Sequence, residues 1–497
     1  MDYIHGTPRD QIFLFKESLD SLVEEDNPVR IIDAYVESVD IEALEFIIPE
    51  LKTGKPPYKP QLMLKIYIYG YMERIRNSRR LEKETKRNRE MIWLTEGLSP
   101  DFKTISDFRK NNRNAIKNVF REFLKLCNKA GLLSLETVAI DGTKLRGQNS
   151  LNNVYKRGEM ENIQKRIEEK IEEYLAELDK EDLKEGEELK LEENRKAIEV
   201  MEKLRKLEKY KNKIDEIKKA FDDDKKQETI FYNDEDCRFQ SDKGKVRAGY
   251  NAQIACDEKN KLIIVEEVTN ECNDLNQTTP MVEKLKKIKK ELKVEGKTEV
   301  IEDAGYFNEN EIVKYKDDKE IELFIPDKKE VNKSRKSEDK IPKREYEVEN
   351  FRYEKENDVY ICPEGKSLNK THMKPGKEDS GREVFEYQCK ECDNCNSKDK
   401  CTNNKRGRAI KVSVNKEYMD EYKGKMKEKS SVGKIEKRKE IVEHPFGTIK
   451  RNLGYDYFLL KGFEKVRSEF SFICFIYNLK RVMNILGHKQ LMELIKT

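Results

Sequence analysis

Residues 158–221 constrain the fold more than any other stretch. They are rich in Glu and Lys. The apolar positions Leu207, Tyr210, Ile214, Ile217 and Phe221 step by three and four residues, the spacing that keeps one stripe of a helix apolar. The pattern predicts two long helices folded back on each other, with the turn near Gly186 in the polar run 184–188. Such a segment supplies no strands, so any sheet has to be assembled from strands lying on either side of a helical hairpin insertion.

Strand signals do lie on both sides. Thr137-Val138-Ala139-Ile140 is a short apolar run ending in Asp141. Beyond the insertion, Tyr250 to Cys256 and Leu262 to Val268 flank a polar turn, Asp257 to Lys261. Thr279 followed by Pro280 predicts a helix start, with Thr as cap and Pro first, and Val282, Leu285, Ile288 and Leu292 form its apolar face. Glu299 to Ile301 then reads as a strand running into Glu302 and Asp303, followed by a short helix and a strand from Ile321 to Ile325. The order strand, strand, strand, helix, strand, helix, strand predicts a mixed α/β sheet. Acids stand at the carboxyl ends of two of its strands, where α/β folds place ligands.

Residues 1–130 read as an all-helical domain. Pro28 predicts a helix start ahead of the stripe Val29, Ile32, Tyr35, Val36 and Val39. A turn-rich link, 53–60, precedes helical patterns over Leu62 to Tyr71, Leu81 to Leu94 and Thr104 to Leu126. The chain carries a formal charge of only +3, but residues 1–50 hold 3 Lys/Arg against 13 Asp/Glu while residues 51–130 hold 20 against 8. A basic stretch inside a near-neutral chain predicts a polyanion partner, and short basic helices suit a helix-turn-helix-like DNA reader. Arg74, Arg76, Arg79 and Arg80 are the candidate DNA contacts. No run approaches the roughly 18 apolar residues of a membrane span. The opening MDYIHGTPRDQ lacks the basic-then-apolar pattern of a secretory signal, so a soluble, cytoplasmic protein with no membrane partner is expected.

Phosphodiester chemistry requires charge stabilisation on both the attacking and the leaving oxygen, which two divalent cations about 3.5–4 Å apart supply when carboxylates hold them. Asp141 and Asp303 are candidates at strand ends, and Glu443 is the candidate on a later helix. Seven residues beyond Glu443 stands Lys450, with Arg451 next to it, placed to reach DNA phosphate if the helix continues through Pro445. Strand alternation sends Glu302 to the face opposite Asp303. Asp234, Asp257 and Asp274 fall in loop or turn contexts that favour surface roles, Asp236 is a candidate supporting residue, and His444 either orients a phosphate or a water or is simply exposed.

Five of the ten cysteines fall within residues 362–401: Cys362, Cys389, Cys392, Cys395 and Cys401. Two residues separate successive cysteines from Cys389 to Cys395, a metal-knuckle spacing. A closed tetrahedral zinc site takes four thiolates, so Cys362, Cys389 and Cys392 with either Cys395 or Cys401 are expected to hold a structural zinc. The domain organisation that follows is a helical domain at 1–130 and a catalytic core at 131–157 and 223–327. A hairpin insertion occupies 158–222, a cysteine-rich insertion 328–412, and the closing part of the core 413–497.

Several segments together carry a resemblance: TGKPPYKPQLMLKIYIYGYMERIRNSRRLE (53–82), SPDFKTISDFRKNN (99–112), VAIDGTKLRGQNS (138–150), GYNAQIACDEKNKLII (249–264), EDAGY (302–306), VEHPFGTIKRNLGY (442–455) and YNLKR (477–481). In this order they resemble bacterial insertion-sequence transposases of the DDE type with an InsH-like N-terminal domain. The resemblance implies an RNase H-like catalytic fold with Asp141, Asp303 and Glu443 as the three acids holding two Mg²⁺ or Mn²⁺, and Lys450 as the lysine after the glutamate. It implies double-stranded DNA, both element ends and target, as partner, a homodimer or higher oligomer at synapsis, and a nucleoid-associated location. One departure is visible. The family pattern has an Arg four positions before the Glu and a Tyr three before that, where this chain has Lys439 and Glu436, with Arg438 one residue off. Lys439 keeps the charge but not the planar fork of Arg. A metal-dependent endonuclease, or a non-transposing DNA-binding protein on the same scaffold, is the alternative. A coiled-coil scaffold accounts for neither the strand-end acids nor the cysteines.

Overall fold

The computed structural model describes residues 18–48, 56–182, 191–225, 227–242, 244–328, 331, 345–374 and 383–496. The expected turn at Gly186 and the start of the 53–60 link lie outside these residues.

Helix α1 (Pro28–Ser38) opens with proline in its first turn, and the Asn27 side chain accepts the Val29 N–H. Helix α2 (Pro60–Met72) also has proline first and is buried from Leu62 to Met72. Each of the next two expected helices is broken by an asparagine. Asn88 ends α3 (Ser78–Arg87), and its side chain caps α4 (Arg89–Leu94) by accepting the Met91 N–H. Asn112 separates α5 (Phe102–Asn111) from α6 (Arg113–Lys129). An asparagine side chain competes for backbone groups and so favours a cap over a helix interior, a preference that the apolar periodicity hides.

Strand β1 (Thr137–Arg146) leads to the two-stranded ribbon of β2 (Val154–Lys156) and β3 (Thr229–Phe231), which brackets the helices α7 (Met160–Asp182) and α8 (Leu191–Asp223). Ile214, Ile217 and Phe221 are buried against Met160, Ile167, Tyr155 and Ile230, whereas Tyr210 is exposed, so the apolar seam is interrupted there and closes tightly next to the ribbon.

The sheet continues with β4 (Arg238–Asp242), β5 (Lys245–Asp257) and β6 (Ile263–Thr269). Helix α9 (Thr278–Glu291), β7 (Thr298–Ile301), α10 (Glu309–Lys314) and β8 (Ile321–Phe324) follow. In space the order is β4-β5-β1-β7-β8, with β6 also paired to β5. β1 runs antiparallel to β5 and parallel to β7, and β8 runs parallel to β7, so the expected mixed α/β sheet is present, with β4 as an unforeseen addition. Helix α9 is capped at Gln277 rather than Thr279, which puts Pro280 third. It still lies in the first turn, where no N–H is needed.

Behind the sheet lies the helix Phe463–Lys496, whose buried run Phe470 to Leu479 packs on β6, α6, α1 and α2. One hydrophobic cluster therefore extends from Val23 through the sheet to Ile495, and the N-terminal helices share a core with the strands. A second, five-stranded antiparallel sheet has the order β13-β12-β11-β10-β9. It is built from β9 (Arg352–Glu354), β10 (Val359–Ile361), β11 (Ser367–Lys374), β12 (Val384–Cys389) and β13 (Ala409–Ser413), and has a small cluster of its own. The chain returns to the first sheet through the helices Lys416–Met426 and Lys429–Gly447. The latter lies over β1, β5, β7 and β8. Pro445 is accommodated inside it, and a π-helical turn, Thr448–Asn452, follows.

Candidate active site

Two strands set the site. The last paired residues of β1 and β7 are Ala139 and Ile301, and both run parallel. Asp141 and Asp303 each lie two residues further on, so the register brings the two carboxylates to the same level. Asp303 follows the end of β7, but Asp141 lies inside β1, which stays paired with β5 up to Arg146, and not at the strand end that the sequence predicts. Each carboxylate is fixed by a backbone amide: Gly142 N–H donates to Asp141 Oδ1 at 2.8 Å and Gly305 N–H to Asp303 Oδ1 at 2.6 Å. A side chain at either glycine would push aside a polar group of the site. A Cβ on Gly142 would lie 2.3 Å from Gln253 Nε2 and 2.9 Å from Asp274 Oδ1, and one on Gly305 would lie 2.8 Å from Asp303 Oδ1.

Between the two acids stands Arg438. Its Nη1 is 2.9 Å from Asp141 Oδ2 and its Nη2 3.8 Å from Asp303 Oδ2, with only 12 % of the side chain exposed. Nη1 is within ion-pair distance, yet it is buried without an aligned hydrogen-bond partner. Burial raises the Asp141 carboxyl from 3.8 to about 6; Arg438 and the Gly142 amide oppose the rise, and Asp303 adds to it. Arg438 shares its helix face with Ile441, Val442 and Pro445, all buried toward the sheet. Lys439, one residue on, is exposed, so the inward place on this helix belongs to Arg438.

Glu443 lies on the same helix and is exposed. Five residues past Arg438, it is turned about 140° around the axis. Among the described residues no three His, Cys, Asp or Glu side chains form a group that could hold an ion. The structure thus brings Asp141 and Asp303 together and leaves Glu443 outside the pair. Lys450, in the π-helical turn, donates to the Lys144 carbonyl at 3.2 Å, and Arg451 is exposed.

A polar floor lies under the acids. Asp274 Oδ1 accepts from Asn251 Nδ2 at 2.6 Å and Gln253 Nε2 at 2.7 Å, and lies 3.4 Å from Lys144 Nζ. Tyr306 donates to Gln253 Oε1. The surface role expected for Asp274 is therefore wrong, because this loop folds back over the strand ends. Its signal was in β5: Asn251 and Gln253 alternate onto one face of the run Ala248 to Cys256, opposite Lys144 and Gly142, and both are fully buried.

The other acids do other work. Glu302 is fully buried on the opposite face, as alternation required; it accepts from Thr278 Oγ1, and burial lifts it to about 8. Asp257 receives the Ser134, Leu135 and Lys259 amides. Asp234 accepts from Tyr250 and the Gly462 amide, and Asp236 accepts the Phe463 amide, so both secure the start of the last helix. His444 contacts the Tyr477 hydroxyl and Arg481, and burial together with Arg481 and Lys261 lowers its pKa.

Of the arginines expected on DNA, Arg76 is internal. It donates to the Tyr457 carbonyl at 2.9 Å, pairs with the buried Glu469 and lies 4.6 Å and 4.5 Å from the Tyr455 and Tyr457 ring centroids. Sequence charge cannot tell an arginine that answers a buried carboxylate from one that faces solvent. Arg74 is exposed, Arg79 is exposed over the Phe102 ring, and Arg80 is exposed beside Glu84.

In the second sheet Cys362, Cys389, Cys392, Cys395 and Cys401 line one small cavity. The Lys366 amide points at Cys362 Sγ and the Arg408 amide at Cys392 Sγ, both at 3.3 Å. Burial and Cys392 push the Cys389 thiol up to about 12. Burial also raises Cys401, with Cys392, Cys362 and Cys395 adding to the rise and Arg408 opposing it.

Among the described residues no helix is long and apolar enough to cross a membrane. No curated protein and no solved structure matches the chain. Two family models do. Residues 17–111 match a transposase domain (DUF772), covering the basic helices, and residues 361–483 match a transposase DDE domain, covering the cysteines, Arg438, Glu443 and Lys450. These two matches, in this order along one chain, identify it as an insertion-sequence transposase of the DDE type, an enzyme that acts on DNA.

Proposed function

We propose that this transposase binds the inverted-repeat ends of its element and cuts and joins DNA with Asp141, Asp303 and Glu443 as the acids of an RNase H-like core. The observation that carries the reading is the Arg438-bridged pair of aspartates just past the last residues that pair the parallel strands β1 and β7. Hard carboxylate oxygens held by backbone amides over two glycines, with a cation already drawn between them, suit Mg²⁺ or Mn²⁺. Two such ions bound there would stabilise charge on the attacking and leaving oxygens of the phosphodiester. Asp141 and Asp303 would hold them, Glu443 joining by a rotation of its helix or side chain. The polar floor of Asp274, Asn251 and Gln253 fixes the strand ends. The chain's contribution is positioning and electrostatics.

In this reading residues 1–130 hold the element ends, with Arg74, Arg79 and Arg80 on backbone phosphate, and Lys439, Lys450 and Arg451 face DNA near the acids. The α7–α8 hairpin (158–222) joins two copies at synapsis. Residues 131–157, 223–327 and 413–497 form the core. The cysteine-rich part (328–412) holds one structural zinc, supported by five soft donors on one cavity and by amides aimed at two of the sulfurs. The thiols as placed are not gathered around an ion, so the metal would draw them inward by side-chain rotation.

The test is cleavage and strand transfer on labelled end-containing DNA in Mg²⁺. Asp141→Asn and Asp303→Asn should each abolish both while leaving end binding intact. Retained cleavage removes that residue from the site, and cleavage by the parent protein without strand transfer favours an endonuclease.

A further inference from the structure

The proposed function uses Arg438 only as a sign that a cation belongs between the aspartates and gives the residue no role of its own. We propose that its guanidinium is a built-in stand-in cation: it holds Asp141 and Asp303 together while the metal is away, and it must leave before a divalent ion can enter. The inference rests on the reading that these two aspartates hold the metal.

Three observations support it. The first is position. A cation bridging two carboxylates on adjacent strands belongs between them, and the Arg438 fork is there, 2.9 Å from one acid and 3.8 Å from the other. The second is need. Asp141 and Asp303 approach the same guanidinium, so their like charges lie close together with Arg438 as the cation between them. The third is imperfection. A guanidinium built to stay would satisfy its donors, as Arg–carboxylate pairs do through two parallel hydrogen bonds. Arg438 Nη1 is buried with no aligned partner, and Nη2 is too far from Asp303 for a hydrogen bond, so the arginine neutralises the acids without locking onto them. Other nearby groups are engaged elsewhere: Lys144 faces Asp274, and Lys450 faces the Lys144 carbonyl.

Displacement costs the metal part of its affinity, because the ion has to expel a bound cation before it gains the two oxygens. Once free, the guanidinium stays tethered beside the site with five donors exposed, a geometry that fits a phosphate of bound DNA. Arg438 is therefore a positioning residue that acts through the two aspartates.

The test is Mn²⁺ binding by calorimetry on the full-length chain without DNA, together with melting in EDTA and in Mn²⁺. Arg438→Met keeps length and loses charge. It should bind Mn²⁺ about tenfold more tightly than the parent, the size of effect a loss of about 1.4 kcal/mol of competition gives. It should melt lower in EDTA and gain more from Mn²⁺. Arg438→Lys should fall between the two, and should carry the test if the Met variant does not fold. Unchanged or weaker Mn²⁺ binding in the variants overturns the proposal. Asp141→Asn in the same titration examines the underlying reading separately: if it leaves Mn²⁺ binding unchanged, the metal site itself is misplaced, whatever Arg438 does.

Discussion

The two sheets of this protein are held by different means. The six-stranded sheet lies inside a cluster that takes in α1, α2, α6 and the Phe463–Lys496 helix, with aromatic contacts such as Phe475 to Tyr35 at 5.7 Å and to Phe123 at 5.4 Å. Among the described residues, the apolar cluster of the five-stranded sheet has eight buried side chains, two of them cysteines. Burial that extensive can carry an unfavourable polar group at its edge, which is where the aspartate pair is found. A cluster of eight cannot offset the chain entropy of the strands it orders, and small folds of that kind use a metal or a cross-link. The comparison explains why one sheet can carry a pair of aspartates and the other a group of thiols.

The largest expected effect tests the poorer sheet. If zinc ties it together, stripping the metal should remove a contribution on the order of 10 kcal/mol, the scale of small structural zinc sites. Hydrogen exchange should then show β9 to β13 losing protection while β1, β5 and β6 keep theirs. Equal protection with and without chelator would mean that this sheet stands on its own contacts. Next in size is Phe475→Ala, which should cost about 3–5 kcal/mol as a large-to-small change in a packed core. Because Phe475 touches α1 and α6, the N-terminal helices and the first sheet should lose stability together, seen as one shared shift in melting. Separate transitions would break the claim of a single core.

Much of the first sheet was legible because a strand writes its pattern locally: the apolar runs of β1, β5, β6, β7 and β8 stand in the sequence. Strand β1, however, runs on through Asp141 to Arg146 because β5 pairs with its polar half, which apolar periodicity does not mark. The helix breaks at Asn88 and Asn112 were missed because the periodicity continues across them; at Asn88 the side chain caps the next helix, and at Asn112 it turns back to donate to the Phe108 carbonyl. Arg76 and Arg438 were harder still. A cationic side chain is equally basic on a surface and inside, and its fate depends on Glu469 in one case and on Asp141 and Asp303 in the other, all distant in sequence. Asp274 was placed on the surface because its loop is polar, although the buried pair Asn251 and Gln253 pointed toward a partner.

The smallest effect concerns the cost of the acid pair that the richer sheet carries. Asp141 titrates at about 6 in the fold against 3.8 in the open chain, chiefly because it is buried. A raised carboxyl pKa means the folded state binds the proton more tightly than the unfolded one. The stabilisation is fully present below about pH 4 and is lost as pH rises through 6. Asp141→Asn removes the titration while keeping shape. In EDTA, the melting temperature of Asp141→Asn relative to the parent should therefore climb between pH 4 and pH 7 and level off above it, by no more than a few degrees. Phe475→Ala, which removes no charge, should keep a constant offset over the same range. A flat difference for Asp141→Asn would show that Arg438 compensates the carboxylate fully, and that the first sheet bears no electrostatic penalty for its site.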